Sequence, residues 1–261
     1  KEDAIKELIL NRKTILSVKK AAIKHADALP YFGTIANAKG EAIKAGNAIA
    51  SDVNNIVVTA VSNACNYYDS HGDVSLPGSW TRTANNTKDG LHLQEHRMEY
   101  SKIISDDVSF SVEKKRWKDL GFPYDGETEV LMMISKVDRA DNPYMFDRYA
   151  RGKVKNHSAG LRYVNIDLAA NSDAEYAKDA KALWDKYYPQ IANKEDVDEA
   201  GYFFAVFEQK IIENSAVPKG SNPATPTISV EPAAGTSTEN DDPAKATHQG
   251  EQTKVINLNL F

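Results

Sequence analysis

From Asn55 to Val217 the chain is a succession of short β-branched and aromatic runs, each cut by Gly, Pro, Asp or Asn before it reaches the length of a buried helix. The runs are "NIVVTAVSN" (55–63), "GLHLQEHRMEYSKIIS" (90–105), "TEVLMMISKV" (128–137), "GLRYVNIDL" (160–168) and "GYFFAVFEQKIIENSAV" (201–217). A polar connection rich in Asp, Gly and Pro, "YYDSHGDVSLPGSWTRT" (67–83), follows the first. Two helices interrupt the series. "DNPYMFDRYARG" (141–152) offers Asn142 as N-cap and Pro143 at the first helical position. Residues 173–188 form a charged helix carrying Leu183, Trp184 and Tyr187. Many short strands with a few helices predict an α+β fold, mostly β, whose strands form a barrel flanked by helices.

Both ends read differently. Ile5, Leu8, Ile9, Ile15, Leu16 and Ile23 recur near helical spacing, predicting one amphipathic helix over 4–28 that Pro30 stops. Such a helix either packs on its own domain or binds a partner. After Val217, "PKGSNPATPTISVEPAAGTSTENDDPAKATHQGEQTK" holds almost nothing for a core and reads as a flexible, disordered tail. It ends in the apolar, alternating "VINLNLF", which could dock as an added strand or fray.

Composition narrows the function classes. At 261 residues and 41% hydrophobic, the chain can bury a sizeable core. A formal net charge of −5 argues against a general nucleic-acid surface. The single cysteine, Cys65, permits no internal disulfide and suits a reducing compartment. No apolar run approaches the roughly 18 residues of a membrane span, and "KEDAIKELIL" lacks the pattern of a signal peptide. The first residue is Lys rather than Met, which is consistent with a trimmed terminus.

The stretch with chemistry in it is "VKNHSAGLRYV" (154–164). A nucleophilic serine needs a base, a group that orients the base, and donors for the oxyanion. Ser158 is followed by Ala159 and Gly160, where backbone amides could serve as donors; without other partners such a serine is a turn residue. Of six histidines, His92, His96 and His157 fall in strand-like segments. His157 is adjacent to Ser158, so in extended chain it points to the opposite face. His96 comes from another strand and is the better base. His92 and His96 at i, i+4 would share a face only on a helix, and the local alternation is that of a strand, so no metal site is expected. There is no Gly-x-Ser-x-Gly elbow, phosphate-binding loop or dinucleotide fingerprint, and no cofactor is implied.

Four stretches, taken in order, resemble the prohead (capsid maturation) serine proteases of tailed bacteriophages, relatives of the herpesvirus assemblins. "YYDSHGDVSLPGSWTRT" looks like an early strand-to-loop motif of Asp, Gly-Asp, Pro-Gly and an aromatic. "LHLQEHRMEYSKII" is similar to the apolar run that ends in the base, here His96. "MFDRYARGKVKNHSAGLRYV" resembles the helix leading into Ser-x-Gly, here Ser158-Ala159-Gly160. "IIENSAVPKGSNPAT" resembles the closing segment with its glutamate, here Glu213, and Asn-Pro-Ala, here Asn222-Pro223-Ala224. The likeness covers about residues 55–226. It departs from the family pattern in the Asn156-His157 pair before the serine and in an expected helical insertion over 171–200.

The resemblance implies a serine endopeptidase on an assemblin-like closed β-barrel wrapped by helices (55–226), after an N-terminal helical extension (1–54) and before a flexible tail (227–261). It casts Ser158 as nucleophile, His96 as base and Glu213 as the acid, with Glu208 and His157 as competitors for the third role. Gly160, Leu161 and Arg162 are the oxyanion candidates. Its substrates would be scaffold or major capsid protein, and its own tail by autocleavage, inside the prohead in the host cytoplasm, with retention in the virion open. A homodimer is expected by the same analogy, with no nucleic-acid or membrane partner. The rival expectation is a catalytically silent homologue acting as a structural or scaffold-interaction protein.

Overall fold

The computed structural model describes residues 1–24, 49 and 52–233. Part of the expected N-terminal helix (25–28) and the tail from 234 onward, "VINLNLF" included, lie outside the described residues.

Strands supply the frame. In chain order they are β1 (Asn55–Ala64), β2 (Asp73–Ser75), β3 (His92–Gln94), β4 (Ile103–Ser105), β5 (Asp107–Arg116), β6 (Glu127–Asp138), β7 (Asn156–Ala170), β8 (Tyr202–Val217) and β9 (Thr227–Pro232). The fold is mixed α+β, mostly strands with some helices. One antiparallel sheet runs β5-β6-β1-β9. The other is built on β8: β7 pairs antiparallel along one edge, while β2 and then β3 pair parallel along the other, with β4 beyond β3. Two seams join the sheets. Residues 225–227 run between them, with Val61 N donating to Pro226 O, His157 N to Thr225 O and Thr227 N to Lys155 O. At the other side β4 and β5 are separated only by Asp106, so one run of chain passes from the second sheet to the first.

Inward residues follow the period of two. Ile56, Val58 and Ala60 from β1 and Met133 and Val137 from β6 meet Phe146 and Tyr149 across the core. A second cluster joins Leu131, Ile166, Leu168 and Val206 around the fully buried Trp80. Burying each such large side chain contributes roughly 1.5–3 kcal/mol. β5 escapes a strand assignment from sequence because it ends in the charged run Glu113, Lys114, Lys115 and Arg116 and the strand is half solvated.

Helices are α1 (Glu2–Leu10), α2 (Arg12–Ala21), α3 (Thr81–Asn86), α4 (Pro143–Ala150), α5 (Lys178–Tyr187) and α6 (Lys194–Ala200). Asn142 caps α4, its side chain accepting from Met145 N at 3.1 Å, with Pro143 in the first turn. The expected single helix over 4–28 is instead two helices that meet at Asn11, and the chain is already extended at Ala22. Leu8, Ile9, Ile15 and Leu16 pack on the β7/β8 core, so this segment covers its own domain. Arg12 clamps it down, its Nε 2.6 Å from Asp167 Oδ1. Residues expected in an insertion also pack inward: Trp184, Ile191 and Val197 cover Ala169, Phe203 and Ala205. The tail boundary drawn at 227 is too early. Residues 227–232 form β9, paired with β1, and Asn222, Ala224 and Thr225 before it are buried. Polar composition misled there because these residues satisfy one another: Thr225 Oγ1 donates to His157 O and Asn222 Nδ2 to Ala64 O.

Candidate functional site

The β7/β8 register sorts the candidate residues by face. Ser158 lies opposite Ser215 and Gly160 opposite Glu213. Directly opposed residues point the same way, so these four positions share one face, and their neighbours His157, Ala159, Asn214 and Ala216 take the other.

His96 reaches the first face through strained backbone. It is not in a strand, as its sequence context implies, but in the turn after β3, where both Glu95 (φ 56°) and His96 (φ 58°) are left-handed. Non-glycine residues in that conformation cost on the order of 1 kcal/mol or more and persist where surrounding contacts enforce them. The enforcing contacts are specific. His96 N donates to Ser215 Oγ at 2.9 Å, His96 Nδ1 stands 2.5 Å from Glu213 Oε1, and Ser215 Oγ–H donates to Glu213 Oε2 at 2.6 Å. The Glu213 side chain is fully buried and that of His96 is 11% exposed. A carboxylate bound to Nδ1–H leaves Nε2 as the basic nitrogen, the tautomer a general base requires.

Gly160 has a steric role that its sequence context does not reveal. A Cβ there would sit 1.9 Å from Glu213 Oε1 and 2.8 Å from its Cδ. The missing side chain makes room for the carboxylate. Of the other oxyanion candidates, Leu161 N already donates to a peptide carbonyl, that of Lys24, at 3.4 Å, and Arg162 is exposed. Ser158 is 4% exposed, and no hydrogen bond joins it to the imidazole among the described residues. In unliganded hydrolases this contact is commonly long and tightens with substrate.

The competitors for the acid role are engaged elsewhere. Glu208 pairs with Arg82 at 2.9 Å near the surface. His157 is wholly buried and meets Tyr149 OH through Nε2 at 2.9 Å. The same hydroxyl is 2.8 Å from His92 Nε2, and His92 Nδ1 is 3.0 Å from Ser135 Oγ. This chain of neutral groups spans the core. Burial pushes His157 down to about 4 and His92 well below the usual histidine range. His92 and His96 therefore serve two separate sites. The Cys65 thiol is buried and pushed upward, with Sγ against Leu76 O.

In the cavity that Ser158 also lines stands a charged cluster that its sequence context does not announce. Asp69 and Asp73, from the 67–83 motif, both bind Lys24 Nζ, the second at 2.9 Å. Tyr163 OH donates to Asp73 Oδ2, and Lys19 Nζ is 2.5 Å from Asp73 Oδ1. Burial alone would lower Lys24, but Asp69 and Asp73 outweigh it and hold the ammonium well above its usual range. Burial alone would raise Asp73, and Lys24 with Lys19 holds it low instead. Ser215 was also missed. Its signal was available, since it stands two residues after Glu213 and a strand brings such residues to one face.

No family model, curated protein or solved structure matches the chain.

Proposed function

We propose that the chain is a serine endopeptidase of the capsid-maturation kind, with Ser158 as nucleophile, His96 as general base and Glu213 as the acid that orients it. The observation that carries this reading is the buried His96–Glu213 contact of 2.5 Å, held by a strained turn on the face that Ser158 shares. Two consecutive left-handed non-glycine residues are an expensive way to place a surface histidine, and such strain clusters at functional sites. Ser215 is a positioning residue, fixing both the Glu213 carboxylate and the His96 backbone.

In the proposed reaction Ser158 Oγ attacks the scissile carbonyl carbon while its proton passes to His96 Nε2. Glu213 stabilises the imidazolium that forms and remains ionised. Backbone amides beside Ser158 take the oxyanion. Collapse breaks the C–N bond, and the amine leaves with the proton from Nε2. Water, deprotonated by the same imidazole, then releases the acyl group and restores the serine.

The finer reading of the fold, an assemblin-like closed barrel wrapped by helices, belongs to the same proposal. It is supported by the two seams, residues 225–227 bridging β1 to β7 and the run from β4 into β5. Scaffold or capsid-protein segments within the prohead, the chain's own tail, and action as a homodimer complete the reading by resemblance. The test is labelling with a fluorophosphonate probe. Wild type is expected to label and Ser158→Ala to lose the label while keeping its melting temperature. Absence of labelling in wild type, together with no cleavage of co-expressed capsid protein, favours the silent structural homologue instead.

A further inference from the structure

The recess formed by Asp69, Asp73 and Tyr163 is more than an internal ion pair, because what fills it arrives as a peptide would. β8 covers one edge of β7; the other is held by residues 225–227 at Asn156 and His157 and, at Leu161, receives the extended residue Lys24. Lys24 N donates to Leu161 O at 2.9 Å and Leu161 N to Lys24 O at 3.4 Å, an antiparallel pair three residues beyond Ser158. Extended peptides bind exposed sheet edges in this way, with main-chain bonds giving affinity and pockets selecting side chains. The Lys24 side chain enters such a pocket. Its ammonium meets two carboxylates that are 6% and 3% exposed, and lies 5.8 Å from the centre of the Tyr163 ring.

The cavity reaches the β7 residue Ser158. Lys24, Asp69, Asp73, Tyr163 and Ser158 line one cavity, and the space left unfilled is about 10 Å³, room for roughly one water. Ser62 Oγ and Gln209 Oε1, from the walls of that cavity, are buried without hydrogen-bond partners among the described residues. Unsatisfied polar atoms on residues that line a filled recess mark a site built for a polar occupant that the resident lysine only partly satisfies.

We infer that the Asp69–Asp73–Tyr163 recess is a subsite for a lysine side chain of an extended peptide paired along β7, and that Lys24 occupies it in place of substrate. Taking that peptide as a substrate rests on the protease reading; the recess itself does not. Lys24's carbonyl is bound by Leu161 N rather than presented to Ser158, so the segment sits as an occupant and not as a cleavable peptide.

The experiment uses the full chain and two readouts. A fluorescent peptide carrying Ala-Ala-Ile-Lys, the sequence of residues 21–24, is titrated by anisotropy against wild type and against Lys24→Met, which keeps the stem and vacates the charge site. Lys24→Met is expected to bind the peptide at least about 10-fold more tightly than wild type. The norleucine version of the peptide is expected to bind at least about 10-fold more weakly. Asp73→Asn in the Lys24→Met background is expected to erase that discrimination, with thermal melts reporting that each variant is folded; Tyr163→Phe, expected to weaken the discrimination, serves if Asp73→Asn does not fold. In parallel, fluorophosphonate labelling of Ser158 should be faster in Lys24→Met. Equal binding of lysine and norleucine peptides by a folded Lys24→Met chain overturns the inference even if Ser158 labels. Lysine-selective binding without any labelling keeps the pocket and removes the protease.

Discussion

The two faces of the β7/β8 ladder carry nearly the same side chains and use them in opposite ways. On one face His96 meets a carboxylate, is held by a left-handed turn and lies on the side that Ser158 faces. On the other, His157, Tyr149, His92 and Ser135 form a chain of neutral hydrogen bonds, fully enclosed by core. His157 and Ser158 are adjacent in sequence and belong to different systems. A histidine next to a serine is therefore no guide to a histidine working with that serine. What distinguishes the two is charge. A buried carboxylate needs a proton-bearing partner and creates a base, whereas a phenol between two imidazoles leaves both neutral.

The largest effect should come from the charged face. Glu213→Gln keeps the shape but removes the charge and puts an NH2 donor in place of one of the two acceptor oxygens that serve His96 and Ser215, and is expected to lower kcat about 10³–10⁴-fold in peptide cleavage with the melting temperature little changed. An equal loss in Tyr149→Phe would erase the distinction between the faces. The neutral face should dominate acid stability. His157 stays neutral in the fold down to about 4, while an unfolded histidine takes up its proton near 6.5, so the unfolded state binds more protons as pH falls. Stability is therefore full above about pH 6.5 and declines on the way to about pH 4, by on the order of 3 kcal/mol for this group. Denaturant melts at intervals across that window measure it, and a flat profile would mean that the histidine chain is not neutral.

Gly160→Ala sharpens the comparison from the backbone. Its Cβ would overlap Glu213 Oε1, so the carboxylate must swing away, and a loss of about 10²-fold in activity is expected alongside a small fall in melting temperature. Ala159→Gly, one residue away on the other face, should leave activity within about 3-fold. The smallest effect is for Tyr149→Phe, which removes the hydroxyl bridging His92 and His157. A cost of about 1–3 kcal/mol is expected in denaturant melts, with fluorophosphonate labelling unchanged.

Much of this site was legible before folding. Strand alternation favoured His96 over His157 as a partner for Ser158, the resemblance of four motifs in order added Glu213, and Asn142-Pro143 announced α4. Other features were not. Gly160 reads in sequence as a place for oxyanion amides, and only the register with Glu213 shows that its hydrogen is needed for space. Asp69 and Asp73 read as turn residues, and Asp69 does accept from His71 N and Asp73 N as such a residue would. Their second role depends on a lysine 45 residues earlier in the chain, in the case of Asp69. Local pattern reports which residues can be buried or extended, because propensity and amphipathic period act over a few residues. Which lysine reaches which aspartate, and how a distant histidine is brought to the carboxylate, is decided by strand register and by a turn that chain geometry alone would avoid. The sequence thus determined most of the strands and the candidate chemistry; the tertiary structure decided that a left-handed turn carries His96 to Glu213, and that Lys24 lies between Asp69 and Asp73.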